Sequence, residues 1–284
     1  MTLIQKALIT INKILSRKSN ADIYRNDFDS CAVEYDAVPT RKLLGKFTED
    51  VLKELNIKPG MRCIDLGCGT GHATEIIDRL VRPNGRVVGC DISKPMLEVA
   101  KKRLGSSFVT KFINQDMLTF LHEQQNNSVD LITAFWAIGY SEPAKILKEI
   151  GRVLAKSGYV AILVNTRKSL SELQKLVTNV LLRHPFVLEH IPPINFPSDI
   201  NAFRRMLKPT GLSISALLEN SCEQSFNTGE SLISWVKTAG PCAGFRSALK
   251  ENKQEFVFNK IKEMVDQKGG IKLTFRFIRF IGKK

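Results

Sequence analysis

The chain contains no run of 18 apolar residues, no CxxC pair and no internal repeat or low-complexity segment. The first absence excludes a helix that crosses a bilayer. The second argues against a zinc site or a redox pair. The six cysteines, at 31, 63, 68, 90, 222 and 242, then read as small core hydrophobes in a reducing compartment, with no disulfide frame and no metal site. No RNA-binding signature or basic–aromatic stripe occurs, so no nucleic-acid partner is expected. Acid is scarce at the start, where none precedes Asp22, and in the whole chain, whose net charge is +14. That excess favours an acidic partner: nucleic acid, an anionic membrane, an acidic carrier protein or an anionic small molecule.

What remains is ordinary for a globular chain of 284 residues, 43% hydrophobic and 25% charged. Such a length suits one large domain with additions and buries roughly three-quarters of its unfolded surface. Near the N-terminus, Leu3, Ile4, Ala7, Leu8, Ile11, Ile14 and Leu15 share a helical face, with Lys6, Lys13 and Arg17 off it. A basic amphipathic helix of this kind lies on a membrane, serves as a transit peptide, or packs over the chain's own core. Lys6 and Lys13 interrupt the apolar stretch, so a secretory signal is not expected.

Periodicity predicts a helix over 41–55, broken by Pro59–Gly60, and then a regular alternation. Strands are expected at 61–66, 86–91, 108–114, 129–136 and 158–165, with helices at 71–82, 95–104, 117–123 and 143–155. Apolar strands alternating with amphipathic helices imply right-handed crossovers and a parallel sheet covered on both faces. Further on, helices are expected at 169–183, 198–208, 230–239 and 247–267, and strands at 212–219 and from Ile271 onward. In the last strand Ile271, Leu273, Phe275 and Phe277 alternate, while Phe280 falls out of phase, which predicts a bulge or a strand end. Reached through a Gly269–Gly270 turn, this strand is expected to insert antiparallel. The fold class is thus α/β, a Rossmann-like, doubly wound, mostly parallel seven-stranded sheet with an antiparallel last strand.

In doubly wound sheets ligands sit at the carboxyl ends of the strands. Strand one ends CIDLGCGTG, placing Asp65 before Gly67, Gly69 and Gly71. Glycine there lets the backbone turn tightly and approach a ligand without a Cβ in the way. Strand two ends VVGCDIS at Asp91, strand three ends INQDM at Asp116, and strand four opens at Asp130. A carboxylate after strand two can accept hydrogen bonds from both hydroxyls of a ribose. A dinucleotide turn wants G-x-G-x-x-G or A. Counting from Gly67 or Gly69 puts His72 or Thr74 at its last position, so the NAD fingerprint is absent.

Residues 61–165, with KPGMRCIDLGCGTG, GRVVGCDISKPML, NQDM and EIGRVLAKSGYVAIL, resemble the class I S-adenosylmethionine-dependent methyltransferases, in particular their small-molecule "type 11" branch. The resemblance implies S-adenosylmethionine as cofactor. It implies that Asp65 orients the glycine loop, that Gly67, Cys68 and Gly69 contact the cofactor by backbone, and that Asp91 holds the ribose with Ile92 on the adenine. Asp116 and Met117 would meet the adenine amino group and ring, and Phe135 the methionine part. It further implies residues 1–39 as a helical extension or lid and 40–284 as the methyltransferase domain, with insertions near 166–210 and 220–268 on the acceptor side.

Acceptor residues are sought outside the motifs. Tyr24 and Tyr35 precede the domain; Trp136 and Tyr140 follow strand four, where Trp136 suits an acceptor wall or core packing. His184 and His190 are candidate bases beside Tyr140. Arg204, Arg205 and Lys208 could meet an anionic acceptor or form a solvated helix face. AFWAIGYSEP stands where DNA and protein-amide N-methyltransferases carry (Asp/Asn)-Pro-Pro-(Tyr/Phe). The expected activity is therefore methylation of a small organic molecule or a carrier-bound acyl group, with oxygen as the favoured acceptor atom. RNA or protein methylation, C- or N-methylation of a small molecule, and an NAD-dependent oxidoreductase are the alternatives. The expected location is cytoplasmic, with an organelle or a membrane surface, reached through residues 1–18, as the alternative.

Overall fold

The computed structural model describes residues 20–37, 39–190 and 195–284. The expected N-terminal amphipathic helix lies outside them. Two compact units are present. One comprises residues 39–169, 194–222 and 275–284; the other draws on residues 1–38, 170–193 and 223–274. Residues 194–210, expected in an insertion, thus group with the first unit.

That unit carries the sheet. Helix α2 (Pro39–Glu54) precedes β1 (Arg62–Leu66), α3 (His72–Val81), β2 (Arg86–Asp91), α4 (Lys94–Leu104), β3 (Thr110–Asn114) and α5 (Met117–His122). There follow β4 (Val129–Phe135), α6 (Pro143–Val153), β5 (Leu154–Asn165), α8 (Ile200–Leu207), β6 (Ser213–Phe226) and β7 (Ile271–Lys283). The strand order is β3-β2-β1-β4-β5-β7-β6. Pairing is parallel from β3 through β5, in registers such as Asp65 beside Thr133 and Asp91 beside Asn114. β7 then runs antiparallel to β5.

Strand alternation sends apolar residues to both faces. Ile64, Leu66, Ile132, Ala134, Ile162 and Ile278 pack against Ile146, Leu147 and Ile150 of α6 and Phe203 of α8. Cys63, Val87, Leu131, Ala161, Leu163 and Phe277 pack against Val51 and Leu52 of α2 and Ile77 of α3. Local signals set the ends. Ser93 caps α4 by accepting from Met96 N (3.3 Å), and Gly105 closes that helix with its N–H on Lys101 O (3.0 Å).

Three expectations about the strands change. Phe280 marks neither a bulge nor an end: β5 and β7 stay in register from Tyr159–Lys283 to Asn165–Phe277. Phe280 shares the Ile278 face while Phe277 and Ile281 take the other, because helices cover both faces of the sheet at this strand. β5 starts at Leu154, directly after α6, with a register shift between Val129 and Leu131 on β4. β6 runs on to Phe226 instead of stopping near 219.

The second unit holds α1 (Asn20–Cys31), α7 (Ser171–Arg183), α9 (Gly229–Thr238) and α10 (Gln254–Asp266), with the outer ends of β6 and β7. Helix α10 is shorter than the expected 247–267. Leu173, Leu176, Val180, Leu232, Val257, Phe258 and Ile261 are buried. Polar ties hold its segments together: Asp27 accepts from Gly244 N (2.7 Å) and from the Ser247 hydroxyl, and Glu172 accepts from Thr274 N and Oγ1 (both 3.2 Å).

Candidate functional site: the carboxyl end of the parallel sheet

β1 ends in a buried carboxylate. Asp65 accepts from Thr74 Oγ1 of α3 (2.6 Å) and Thr133 Oγ1 of β4 (2.8 Å), so it ties the elbow to the neighbouring strand and to the helix that follows. Burial raises its pKa to about 6, against the hydrogen bonds from Thr74 and Thr133, which favour the ionised form. The elbow then passes through Gly67 at φ 63° and Gly69 at φ 53°, a region that L side chains enter only at a cost. The two glycines differ in kind. A Cβ on Gly67 would lie 2.2 Å from Ala137 Cβ, whereas one on Gly69 would point into open space. Gly67 is small because the chain after β4 packs on it; Gly69 leaves room beside the loop.

Asp91, at the end of β2, binds that loop. Its Oδ2 accepts from Gly69 N (2.8 Å) and its Oδ1 from Ser93 N (2.8 Å). Gly67 N and Cys68 N both donate to Cys90 O, at 2.8 and 3.1 Å. Backbone contact by these two residues with a ligand therefore falls to their carbonyls and Cα surfaces. The Cys68 side chain is buried, which pushes its thiol well above the ordinary range.

Asp116 Oδ1 caps α5, accepting from Leu118 N (2.9 Å) and Thr119 N (3.1 Å). Met117 opens that helix, and its Cε lies 3.5 Å from where a Gly67 Cβ would stand. Ile92 is half-exposed between β2 and α4, and Phe135 is buried at the end of β4. The structure thus brings together Asp65, Gly67, Cys68, Gly69, Asp91, Ile92 and Met117, with Asp116 alongside.

Three partners escape the motif reading. Asn114 donates Nδ2 to Asp91 O (3.0 Å) and Ile92 O (2.8 Å), locking the backbone that carries both. Thr74 and Thr133 hold Asp65. Asn114 stands in the quoted INQDM and Thr74 in GTGHAT, but only the fold shows whom they serve. Arg103 adds a brace, donating Nε to Thr70 O (2.8 Å).

The remaining candidates scatter. Trp136 has φ 65°, a strained value for a bulky residue. Its N–H reaches Leu163 O (2.6 Å), its indole N–H reaches Thr48 Oγ1 (3.1 Å), and its ring meets Phe277 edge-on at 4.9 Å. These are packing contacts, and they turn the chain so that Ala137 falls on Gly67. Tyr140 ends a short 3-10 turn, its ring edge-on to Phe196 at 5.1 Å. Arg204, Arg205 and Lys208 are exposed.

Tyr24, Tyr35, His184 and His190 belong to the second unit. Tyr24 is buried, which raises its phenol pKa. Tyr35 lies against Gly240, where an added Cβ would come within 2.6 Å of its ring. His184 meets Phe256 edge-on at 4.9 Å. His190 is buried and lines a polar cavity with Asp27, Glu189 and Arg246.

The donor set of the sheet unit fits S-adenosylmethionine. Open space at Gly69, next to a half-buried Asp91, gives a nucleoside a bare-backbone bed with a carboxylate at its rim. Among the described residues there is no cluster of His, Cys, Asp and Glu suited to a metal ion.

Comparison with known proteins gives the same direction. Residues 57–208 match the profile of a family described as a methyltransferase domain, more than half of the 284 residues. A demethylmenaquinone methyltransferase of Staphylococcus aureus is 33% identical over 121 residues, covering 42% of this chain and 49% of the relative. The chain spans about half the length of the curated relatives it matches. YcgJ of Bacillus subtilis superposes with a TM-score of 0.55 at 18% identity, over 85% of this chain and 97% of that one. The geranyl diphosphate C-methyltransferase of Streptomyces coelicolor A3(2), solved with Mg2+, geranyl diphosphate and S-adenosyl-L-homocysteine, gives 0.55 at 12% identity, over 94% and 99%. At such identities the structural likeness speaks for the fold. Motifs, sheet order and family profile agree, and the NAD reading falls: the chain belongs to the class I S-adenosylmethionine-dependent methyltransferases.

Proposed function

We propose that this protein transfers the methyl group of S-adenosylmethionine to a small organic molecule or a carrier-bound acyl group, with oxygen as the acceptor atom. The juxtaposition of Gly69 and Asp91 carries the reading. One carboxylate shapes the loop through Gly69 N and Ser93 N, and an ionised carboxylate, with about four acceptor sites, suits the two hydroxyls of a ribose. Asp116 spends one oxygen on its helix cap, and its other oxygen suits the adenine amino group.

When bound, the cofactor supplies a methyl group on a positively charged sulfur. The chain's own work is to align that group with an acceptor and to exclude water, which accounts for several kcal/mol of barrier in general. A carboxylate acceptor arrives ionised and needs no base. A phenol would use one, and Tyr140 is the candidate in the sheet unit. Oxygen is supported by the missing amide-N motif after β4 and by the net charge of +14, which suits an anionic acceptor. The Staphylococcus aureus relative is named for a small organic acceptor, which supports the same class. Five of the six free cysteines are buried, in keeping with a reducing, cytoplasmic setting.

Calorimetry with S-adenosylhomocysteine tests the cofactor half. Binding is expected, weakened at least about tenfold by Asp91→Ala, a loss of the size set by a hydrogen-bonded charge. No heat from the parent chain would overturn the reading. Mass spectrometry of methylated products tests the acceptor half. Ester or ether products from carboxylates or phenols are expected, and methylation confined to RNA, protein or carbon centres would refute the oxygen assignment.

A further inference from the structure

In the second unit, two large apolar side chains stand in solvent around the end of α7. Phe186 is 84% exposed and Leu182 is 67% exposed. Single exposed hydrophobics are common and need no explanation, but these have company. Phe256, 39% exposed on α10, lies edge-on to His184 between them in sequence. Lys250 N donates to Val187 O (2.9 Å) and Lys253 N to Lys250 O (2.8 Å), so segments 182–187 and 250–256 form one continuous face.

Basic residues outnumber acidic ones on this face by three to two. Arg183, Lys250 and Lys253 are exposed and make no ion pair among the described residues. Glu251 offsets one of them, and Glu255 is held by Lys237 at 2.8 Å. Exposed Leu and Phe ringed by Lys and Arg match the two halves of an anionic lipid interface. Apolar side chains sit at the headgroup–acyl boundary, and basic ones meet the negative surface potential. Phe186 and Leu182 flank a helix end and project outward instead of lining a groove, which suits a soft interface better than a shaped protein partner.

We propose that residues 182–187 and 250–256 dock on an anionic membrane surface, Leu182, Phe186 and Phe256 entering the headgroup layer and Arg183, Lys250 and Lys253 meeting the lipid charge. This stands apart from the methyl-transfer reading and from residues 1–18.

The test is co-sedimentation of the full chain with phosphatidylcholine vesicles, with and without about 30% phosphatidylserine, a PS-rich surface. The parent chain is expected to bind only the anionic vesicles, less so as salt rises. The Leu182→Ser/Phe186→Ser double variant is expected to lose at least about tenfold in partitioning, as burial of two such side chains implies. Its thermal shift with S-adenosylhomocysteine, compared with that of the parent chain, verifies folding. A Phe186→Trp variant reads the site directly, its fluorescence moving to the blue on anionic vesicles. Full binding by the double serine variant would assign the contact elsewhere and overturn the proposal. So would a Phe186→Trp emission that stays put, binding that RNA abolishes at constant ionic strength, or burial of Phe186 by self-association without lipid.

Discussion

The two units organise buried carboxylates in different ways. In the sheet unit Asp65 and Asp78 bind hydroxyls and a guanidinium from neighbouring elements of a regular α/β repeat. Asp78 accepts from the Ser107 hydroxyl, from Thr110 Oγ1 (2.7 Å) and from Arg82 Nε (2.8 Å). In the other unit Asp27 reaches over 200 positions along the chain to Gly244 N and Ser247. The first arrangement follows from a repeating pattern that can be read locally. The second depends on distant segments meeting, and no motif announces it.

Removing these carboxylates should show the difference. Asp78→Ala leaves Ser107, Thr110 and Arg82 unpaired and should cost about 3–4 kcal/mol, as broken buried charge networks do. Burial would raise the Asp78 pKa, but its hydrogen bonds from Ser107, Thr110 and Arg82 hold it below the usual carboxylate range. Its contribution is therefore present above the unfolded pKa and is lost as acid protonates it. Asp27→Ala should cost about 2–3 kcal/mol, read as faster hydrogen exchange at 244–248. Equal losses spread over both units in each variant would break the contrast.

The glycine elbow can be dissected next. Gly67→Ala must displace Ala137 and should destabilise the sheet unit by about 2–3 kcal/mol, combining overpacking with left-handed strain. Gly69→Ala meets open space and should cost only about 1 kcal/mol in stability, yet weaken S-adenosylhomocysteine binding severalfold or more. Denaturant melts beside calorimetry separate the two. Similar melts for both would show that Ala137 yields easily.

A smaller effect concerns pH. Burial holds the Asp65 pKa at about 6 in the folded chain, against 3.8 for an exposed aspartate. Between those values the folded state holds more protons than the unfolded one, so this group's contribution falls as pH rises. Across that window the parent chain should lose about 2 kcal/mol relative to Asp65→Asn, measured as the difference between their melts. The smallest effect belongs to Arg62, which pairs with Asp130 at 2.7 Å on the surface. Arg62→Ala should cost under about 1 kcal/mol, and less in high salt.

Much of the sheet unit was open to reading because backbone sterics constrain residue type. A strand that must turn sharply beside a ligand requires glycine at positive φ, and Gly67 and Gly69 adopt it. A strand buried on both faces requires apolar runs, as in Val160–Ala161–Ile162–Leu163–Val164. Edges and ends were harder. The alternation rule misreads Phe280 because it assumes one buried face. Asn114 and Thr133 look unremarkable until β2 comes alongside the first and β1 alongside the second, since a side-chain hydrogen bond depends on position in space and leaves no periodic trace.

The amino-acid order alone determined the alternation of strands and helices, the acids at their ends and the bare elbow, all consequences of near-neighbour geometry. Only the tertiary structure decided that Trp136 packs on Thr48 and Phe277, that Asp27 ties together segments far apart, and that Phe186 is left in solvent. Those outcomes rest on which distant surfaces meet, and local propensity carries no record of that.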